Sequence, residues 1–119
     1  MVHKRMTFTH LRHALRRFAD ARDWQQFHSP KNLAMAQCVE AAELLEHFQW
    51  LTAEQSARLD VQRKRAVADE IADVLIYLTR LADVLQIDPL DAAKRKLRQN
   101  ARKYPVSRAR GHARKYHEL

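Results

Sequence analysis

The chain has 119 residues, of which 46% are hydrophobic and 30% charged, a balance that excludes a disordered chain and amounts to one folded domain, residues 1–119. No apolar run approaches the roughly 20 residues needed to span a bilayer, so a membrane protein is excluded as well. The formal net charge is +8, and the stretch from Lys94 to Leu119, which includes a basic tail at about 105–119, is densely basic, which suits a polyanionic partner such as a nucleotide or a nucleic acid.

One Gly and three Pro leave few helix breakers, and long helices are the economical reading. The single cysteine, Cys38, can form no internal disulfide, and no charged-then-apolar stretch opens the chain, so a reducing, cytoplasmic setting is expected. Leu11, Ala14, Leu15, Phe18, Ala21 and Trp24 recur at helical spacing and predict a first helix from about residue 9 to 25. Ser29-Pro30 reads as an N-cap followed by Pro at the first helical position, opening a second helix that should reach Trp50. Thr52 and Gln55 form a capping-box pattern for a short connecting helix. From Asp60 to Gln86 runs the longest helical pattern, apolar nearly all the way round at Val74 to Leu78. Asp88-Pro89 repeats the cap-plus-Pro signal for a last helix ending near Lys103, after which the chain through Gly111 should be loop. The predicted architecture is all-α, a four-helix bundle with a short connecting helix.

Four acidic residues interrupt the apolar faces of two of these helices. Glu43 lies about 60° round the second helix from Glu40, and Leu33, Leu44 and Ala36 fall within about 40° of Glu40. On the long helix Asp73 lies about 60° from Glu70, with Val74, Tyr77, Leu81 and Ala66 close to the same direction. Ionised carboxylates in apolar surroundings are costly unless paired or bound to a metal, and four together repel one another. Either a buried network with Arg or Lys or a divalent cation can answer this. All-oxygen ligands favour hard ions, Mg²⁺ first, with Mn²⁺ or Ca²⁺ as alternatives. A di-iron bundle would carry two Glu-x-x-His motifs, and the chain has none. His47 and Glu46 lie near enough to the acidic face to count as weaker candidates.

The pair Glu40-Ala41-Ala42-Glu43 followed by Glu70-Ile71-Ala72-Asp73 resembles the ExxE…ExxD signature of the MazG-like all-α pyrophosphohydrolases. Arg22-Asp23-Trp24-Gln25-Gln26-Phe27-His28, Phe48-Gln49-Trp50, Asp73-Val74-Leu75-Ile76-Tyr77-Leu78, Lys103-Tyr104-Pro105 and Lys115-Tyr116 extend the likeness toward the dCTP pyrophosphatase branch. The resemblance implies Mg²⁺-dependent hydrolysis of a nucleoside triphosphate, dCTP or a modified dCTP, to the monophosphate and pyrophosphate, in nucleotide-pool house-cleaning. It further implies that Glu40, Glu43, Glu70 and Asp73 are metal ligands, with Glu43 an alternative general base for the attacking water. Lys96, Asn100 and Tyr104 are then the phosphate and sugar contacts, spaced along one face of the last helix. Trp24, His28, Trp50 and Tyr77 are the base-pocket residues, each of the aromatics having core packing as its alternative role. At Leu15 the chain departs from the histidine of the eukaryotic dCTP enzymes, which leaves base preference open.

Two further expectations follow from the residues themselves. The long helix is apolar around more of its circumference than three neighbours would cover, since Ile76 and Leu75 point about 120° and 140° away from Glu70, so a homo-oligomer, dimer or tetramer, is expected. The competing function is a small basic helical nucleic-acid-binding protein with structural carboxylates. It is disfavoured because surface phosphate contacts leave acids on apolar faces unexplained.

Overall fold

A computed structural model describes residues 5–119. The described residues form α1 (Phe8–Ala21), a 3₁₀ turn (Trp24–Phe27), α2 (Pro30–Glu46), the short α3 (Ala53–Ser56), α4 (Val61–Val84), α5 (Pro89–Lys103), the short α6 (Val106–Ala109) and a final 3₁₀ turn (Tyr116–Glu118). The chain is all-α, with four long helices and the expected connecting helix. Among the described residues no helix is long and apolar enough to cross a membrane. Two compact units are distinguished, Met1–Gln86 and Ile87–Leu119.

Local chemistry sets most helix starts. Ser29 Oγ accepts from the Asn32 N–H at 3.2 Å with Pro30 at the first helical position. Thr52 and Gln55 close a reciprocal capping box, at 3.1 Å and 2.9 Å. Asp60 caps α4 through the Arg63 N–H at 2.7 Å, and Asp88 caps α5 through the N–H groups of Leu90 and Asp91. The chain turns out of α4 through Gln86, at φ 57°.

Three expected boundaries are corrected. Helix α1 begins one residue before Thr9, because Thr7 is the cap, its hydroxyl accepting from the His10 N–H at 3.1 Å. It ends at Ala21 rather than 25, because Asp23 adopts a left-handed backbone with φ 52° and shifts Trp24 into a separate 3₁₀ turn. Helix α2 stops at Glu46, so Trp50 lies in the following turn. Past Pro105, the segment expected to be loop contains the single turn α6 before Gly111 at φ 88°.

Within the first unit, α2 and α4 pack along each other and α1 joins α4. The α2–α4 pair is antiparallel: His28, just before α2, bonds to Arg80 near the end of α4, whereas Glu40 and Glu43 meet Glu70 in its first half. Leu33 of α2 and Ala19 of α1 are each 1% exposed, and with Val67 and Ala82 of α4 they make a small apolar core. Truncating Leu33 removes one of the two largest fully buried side chains. Leu33→Ala should therefore lower unfolding free energy by about 2–5 kcal/mol. Urea denaturation followed by circular dichroism measures this, and a loss below about 1 kcal/mol would show that the cavity collapses at little cost.

Candidate metal centre and adjoining aromatic cavity

The helical spacing of Glu40 and Glu43 on α2 turns both carboxylates toward α4, where Glu70 meets them. One ligand atom from each of these three lies within 4.8 Å of the others. Asp73, one turn further along α4, is not part of this tight trio, yet it stands near enough to repel Glu40 and it borders the neighbouring cavity. Neither His47 nor Glu46 belongs to the trio.

Glu40 Oε2 and Glu70 Oε2 are buried and have no hydrogen-bond partner among the described residues. The pKa of Glu40 is pushed up to about 7, first by loss of solvent, then by a hydrogen bond with Glu43 and by repulsion from Glu43 and Asp73. Among the described residues, ion pairs join Arg16 and Arg80 to Asp83, and His117 to Glu118; none reaches Glu40, Glu43, Glu70 or Asp73. Among the described residues the acids are thus not neutralised by a salt-bridge network. Orphaned buried oxygens and an all-carboxylate donor set fit a hard divalent cation.

Beside the acids lies a cavity of about 400 Å³, framed by Phe18, Trp24, His28, Asp73, Tyr77 and Arg80, with Leu15, Ala19 and Ile76 completing its wall. Trp24 stands edge-on to Phe18 at 5.7 Å between ring centres and is tilted against His28 at 6.1 Å. The structure therefore gathers three of the four sequence-derived base-pocket residues, Trp24, His28 and Tyr77, in one wall. Trp50 is not among the lining residues and is 86% exposed. Lys96, Asn100 and Tyr104 all lie on or at the end of α5, in the second unit. There Lys96 Nζ donates to Gln99 Oε1 at 3.3 Å, and the Tyr104 ring meets Tyr116 edge-on at 6.3 Å.

Two residues of consequence escape a reading of local pattern. Arg80 is only 4% exposed, and its guanidinium donates to His28 Nδ1 at 3.1 Å, Gln25 Oε1 at 2.5 Å and Asp83 Oδ2 at 3.1 Å. Asp83 also accepts a bidentate pair from Arg16, at 3.0 Å and 2.6 Å, and this bond chiefly holds its carboxyl below the usual range. Burial, and secondarily the Arg80 charge, lower the pKa of His28 and keep its imidazole neutral at pH 7. The only local sign of the network is the i, i+3 spacing of Arg80 and Asp83, a pattern common on solvated helix faces.

The elevated Glu40 pKa has a direct effect on stability. The unfolded chain releases that proton near 4.5 and the folded chain near 7, so the folded state holds the extra proton between these values. In chelator, the melting temperature should fall as pH rises from about 4.5 to about 7, since the carboxylates become charged against one another. Asp83 titrates below this window, whereas His28, its pKa lowered by burial, adds stability as pH rises toward 6.5, so the Glu40 contribution is read as the difference between wild type and Glu40→Gln. Mg²⁺ at neutral pH should restore the lost stability. Differential scanning fluorimetry across that range tests both halves, and a wild-type melting temperature that does not fall relative to that of Glu40→Gln without metal contradicts the account.

Comparison with known proteins agrees with this geometry. Over 104 residues, or 86% of this chain, it is 45% identical to dCTP pyrophosphatase 1 of Homo sapiens, spanning 61% of that protein. The same share of the chain is 41% identical to dCTP pyrophosphatase 1 of Bos taurus, spanning 62% of it, so the chain covers about three fifths of the length of these relatives. The crystal structure of a pyrophosphatase from Archaeoglobus fulgidus superposes with a TM-score of 0.79 at 46% identity, covering 88% of this chain and 98% of that one. With the MazG-like family profile matching residues 35–119, which include all four acids, the chain belongs to the MazG-like family.

Proposed function

We propose that the protein is a nucleoside triphosphate pyrophosphohydrolase that uses Mg²⁺, with Mn²⁺ as a substitute, to convert dCTP or a modified dCTP into the monophosphate and pyrophosphate. The observation that carries this reading is the meeting of three carboxylates, two with orphaned oxygens, beside an aromatic cavity of about 400 Å³. Names of relatives from two mammals and an archaeon support the same chemistry.

Glu40, Glu43, Glu70 and Asp73 would hold the cation. When bound, it supplies positive charge that offsets the polyphosphate and the charge developing at the attacked phosphorus. Glu43 would take a proton from the attacking water, its carboxylate lying within 4.8 Å of those of Glu40 and Glu70. Trp24 and Tyr77 offer ring faces to the nucleobase, where stacking contributes about 1–3 kcal/mol per aromatic contact. Lys96, Asn100 and Tyr104 bind phosphate and sugar in this reading. Nucleic-acid binding through the basic residues of α5 and the tail would leave the unpaired carboxylate trio without a role.

The exposed side chains of α4 support self-association. Ile71, Leu75 and Leu78, with Leu85 at the C-cap, are 44–52% exposed and recur at i, i+4, i+7 and i+14, forming a leucine-rich stripe. A second copy of the chain would cover it, giving a dimer or a tetramer.

Pyrophosphate release from a deoxynucleoside triphosphate panel should require Mg²⁺ or Mn²⁺ and stop in chelator. Glu40→Gln and Asp73→Asn should each reduce turnover by more than the roughly 10–100-fold that loss of an outer-shell partner costs, with helicity retained. Turnover in excess chelator, or near-normal activity in either variant, would refute the corresponding assignment. Separately, Leu75→Glu should lower the mass seen by light scattering to that of one chain. A wild-type protein that is already monomeric at micromolar concentration would rule out the stripe as a self-association surface.

A further inference from the structure

Within the cavity just described, the polar wall at the Arg80 end presents donors, whereas the acceptor carboxylate, Asp73, stands about two helical turns earlier on α4, among the acids of the candidate metal centre. Arg80 carries five N–H donors and no acceptor. Three bonds are made, to His28, Gln25 and Asp83. One N–H on each terminal nitrogen is left over. Because Nδ1 of His28 accepts from an arginine that is always protonated, its own proton must sit on Nε2, making that edge of the ring a donor. Burial keeps the imidazole from gaining a second proton, so this tautomer persists at neutral pH. Gln25 does not reverse the pattern: its oxygen is taken by Arg80 and its amide donates to Asp20. Tyr77 can donate or accept and is neutral to the choice. Around these donors stand Phe18, Trp24, Leu15 and Ile76, which offer no acceptor.

We propose that Arg80, together with the His28 that it orients, is the base-reading pair of this cavity, presenting donors only and therefore selecting a nucleobase edge on which a carbonyl oxygen and an unprotonated ring nitrogen stand side by side. Cytosine has such an edge at O2 and N3. Thymine and uracil have a protonated N3, which on this edge would meet an N–H of Arg80 or His28 in place of an acceptor. A buried donor facing a donor forfeits the hydrogen bonds of both, and sites built this way reject the wrong partner far more strongly than apolar fit can. This assignment rests on the reading of the cavity as a nucleotide site.

The remaining contacts of Arg80 are suited to that role. Asp83 holds one terminal nitrogen and is itself held by Arg16 of α1, so the guanidinium is fixed before any ligand arrives. At His28, the bond from Arg80 sets which ring nitrogen faces the ligand.

The test uses the full-length protein and deoxynucleosides, which lack phosphate and so report the cavity independently of metal. By isothermal titration calorimetry, deoxycytidine should bind wild type more tightly than thymidine, and the triphosphates should show the same order in kcat/KM. Arg80→Lys keeps a charge but loses the planar fork; the deoxycytidine-to-thymidine ratio should fall by roughly tenfold or more, the effect appearing in KM rather than kcat. His28→Phe removes both the acceptor for Arg80 and the Nε2 donor at a half-buried position, and should reduce the ratio likewise; it decides the matter alone should Arg80→Lys fail to fold. An equal preference for the two nucleosides in wild type, or an unchanged ratio in folded variants, overturns the proposal. Deoxycytidine binding with no hydrolysis of any triphosphate would instead overturn the proposed reaction and leave base reading intact.

Discussion

Like charges held at close range are the constraint around which the first unit is organised. Glu40, Glu43 and Glu70 place ligand oxygens within 4.8 Å of one another, and among the described residues none is paired with a basic side chain. Helix propensity does not produce that juxtaposition. It is imposed by the packing of α2 against α4, through Leu33 and Val67, and by caps such as Ser29 and Asp60 that fix where each helix begins. The partial protonation of Glu40 relieves the repulsion when no cation is present, whereas a divalent ion relieves it while keeping the acids charged.

Helix α4 then carries a sequence of environments along one side. Glu70, Asp73, Tyr77 and Arg80 follow at helical spacing, within about 80° of arc, so the face passes from anionic through aromatic to cationic over a rise of about 15 Å. A nucleotide has the matching polarity, with a metal-binding polyphosphate at one end and a flat, hydrogen-bonding base at the other. The antiparallel partner α2 reinforces the order, adding Glu40 and Glu43 beside the acidic end, while His28, just ahead of it, stands at the other. Asp83 completes the series by pinning Arg80 and reaching across to α1.

Much of this was legible in the sequence, because helix caps and acids on apolar faces are local signals. Ser29-Pro30, Thr52 with Gln55, and Asp88-Pro89 act as read, and Glu40 and Glu43 of α2 meet Glu70 of α4, with Asp73 outside that trio. Trp24, His28 and Tyr77 line one cavity. What was not legible depends on partners distant along the chain. Arg80 is buried because Gln25 and His28 come from a 3₁₀ turn more than fifty positions earlier, and Asp83 because Arg16 reaches it from α1. Nothing in the spacing of Arg80 and Asp83 distinguishes them from a surface ion pair. The end of α1 was hidden for another reason: an aspartate, rather than the glycine that usually advertises a left-handed residue, makes the break. Trp50 was assigned to the end of α2 by periodicity, but the helix stops at Glu46 and the indole lies in water.

The left-handed Asp23 also limits how this chain can drift in evolution. At φ 52° a β-branched residue would clash with its own backbone, whereas glycine and asparagine adopt the conformation readily. Glycine would lose the Asp23 carboxylate that accepts from Gln26 Nε2, at 3.2 Å, although the same amide also reaches the Asp23 carbonyl, at 3.1 Å. Lineages of this protein should therefore vary freely at the neighbouring exposed positions while position 23 draws on a repertoire of aspartate, asparagine and glycine. Its tolerance is governed by the backbone turn that delivers Trp24, and not by any contact with a ligand.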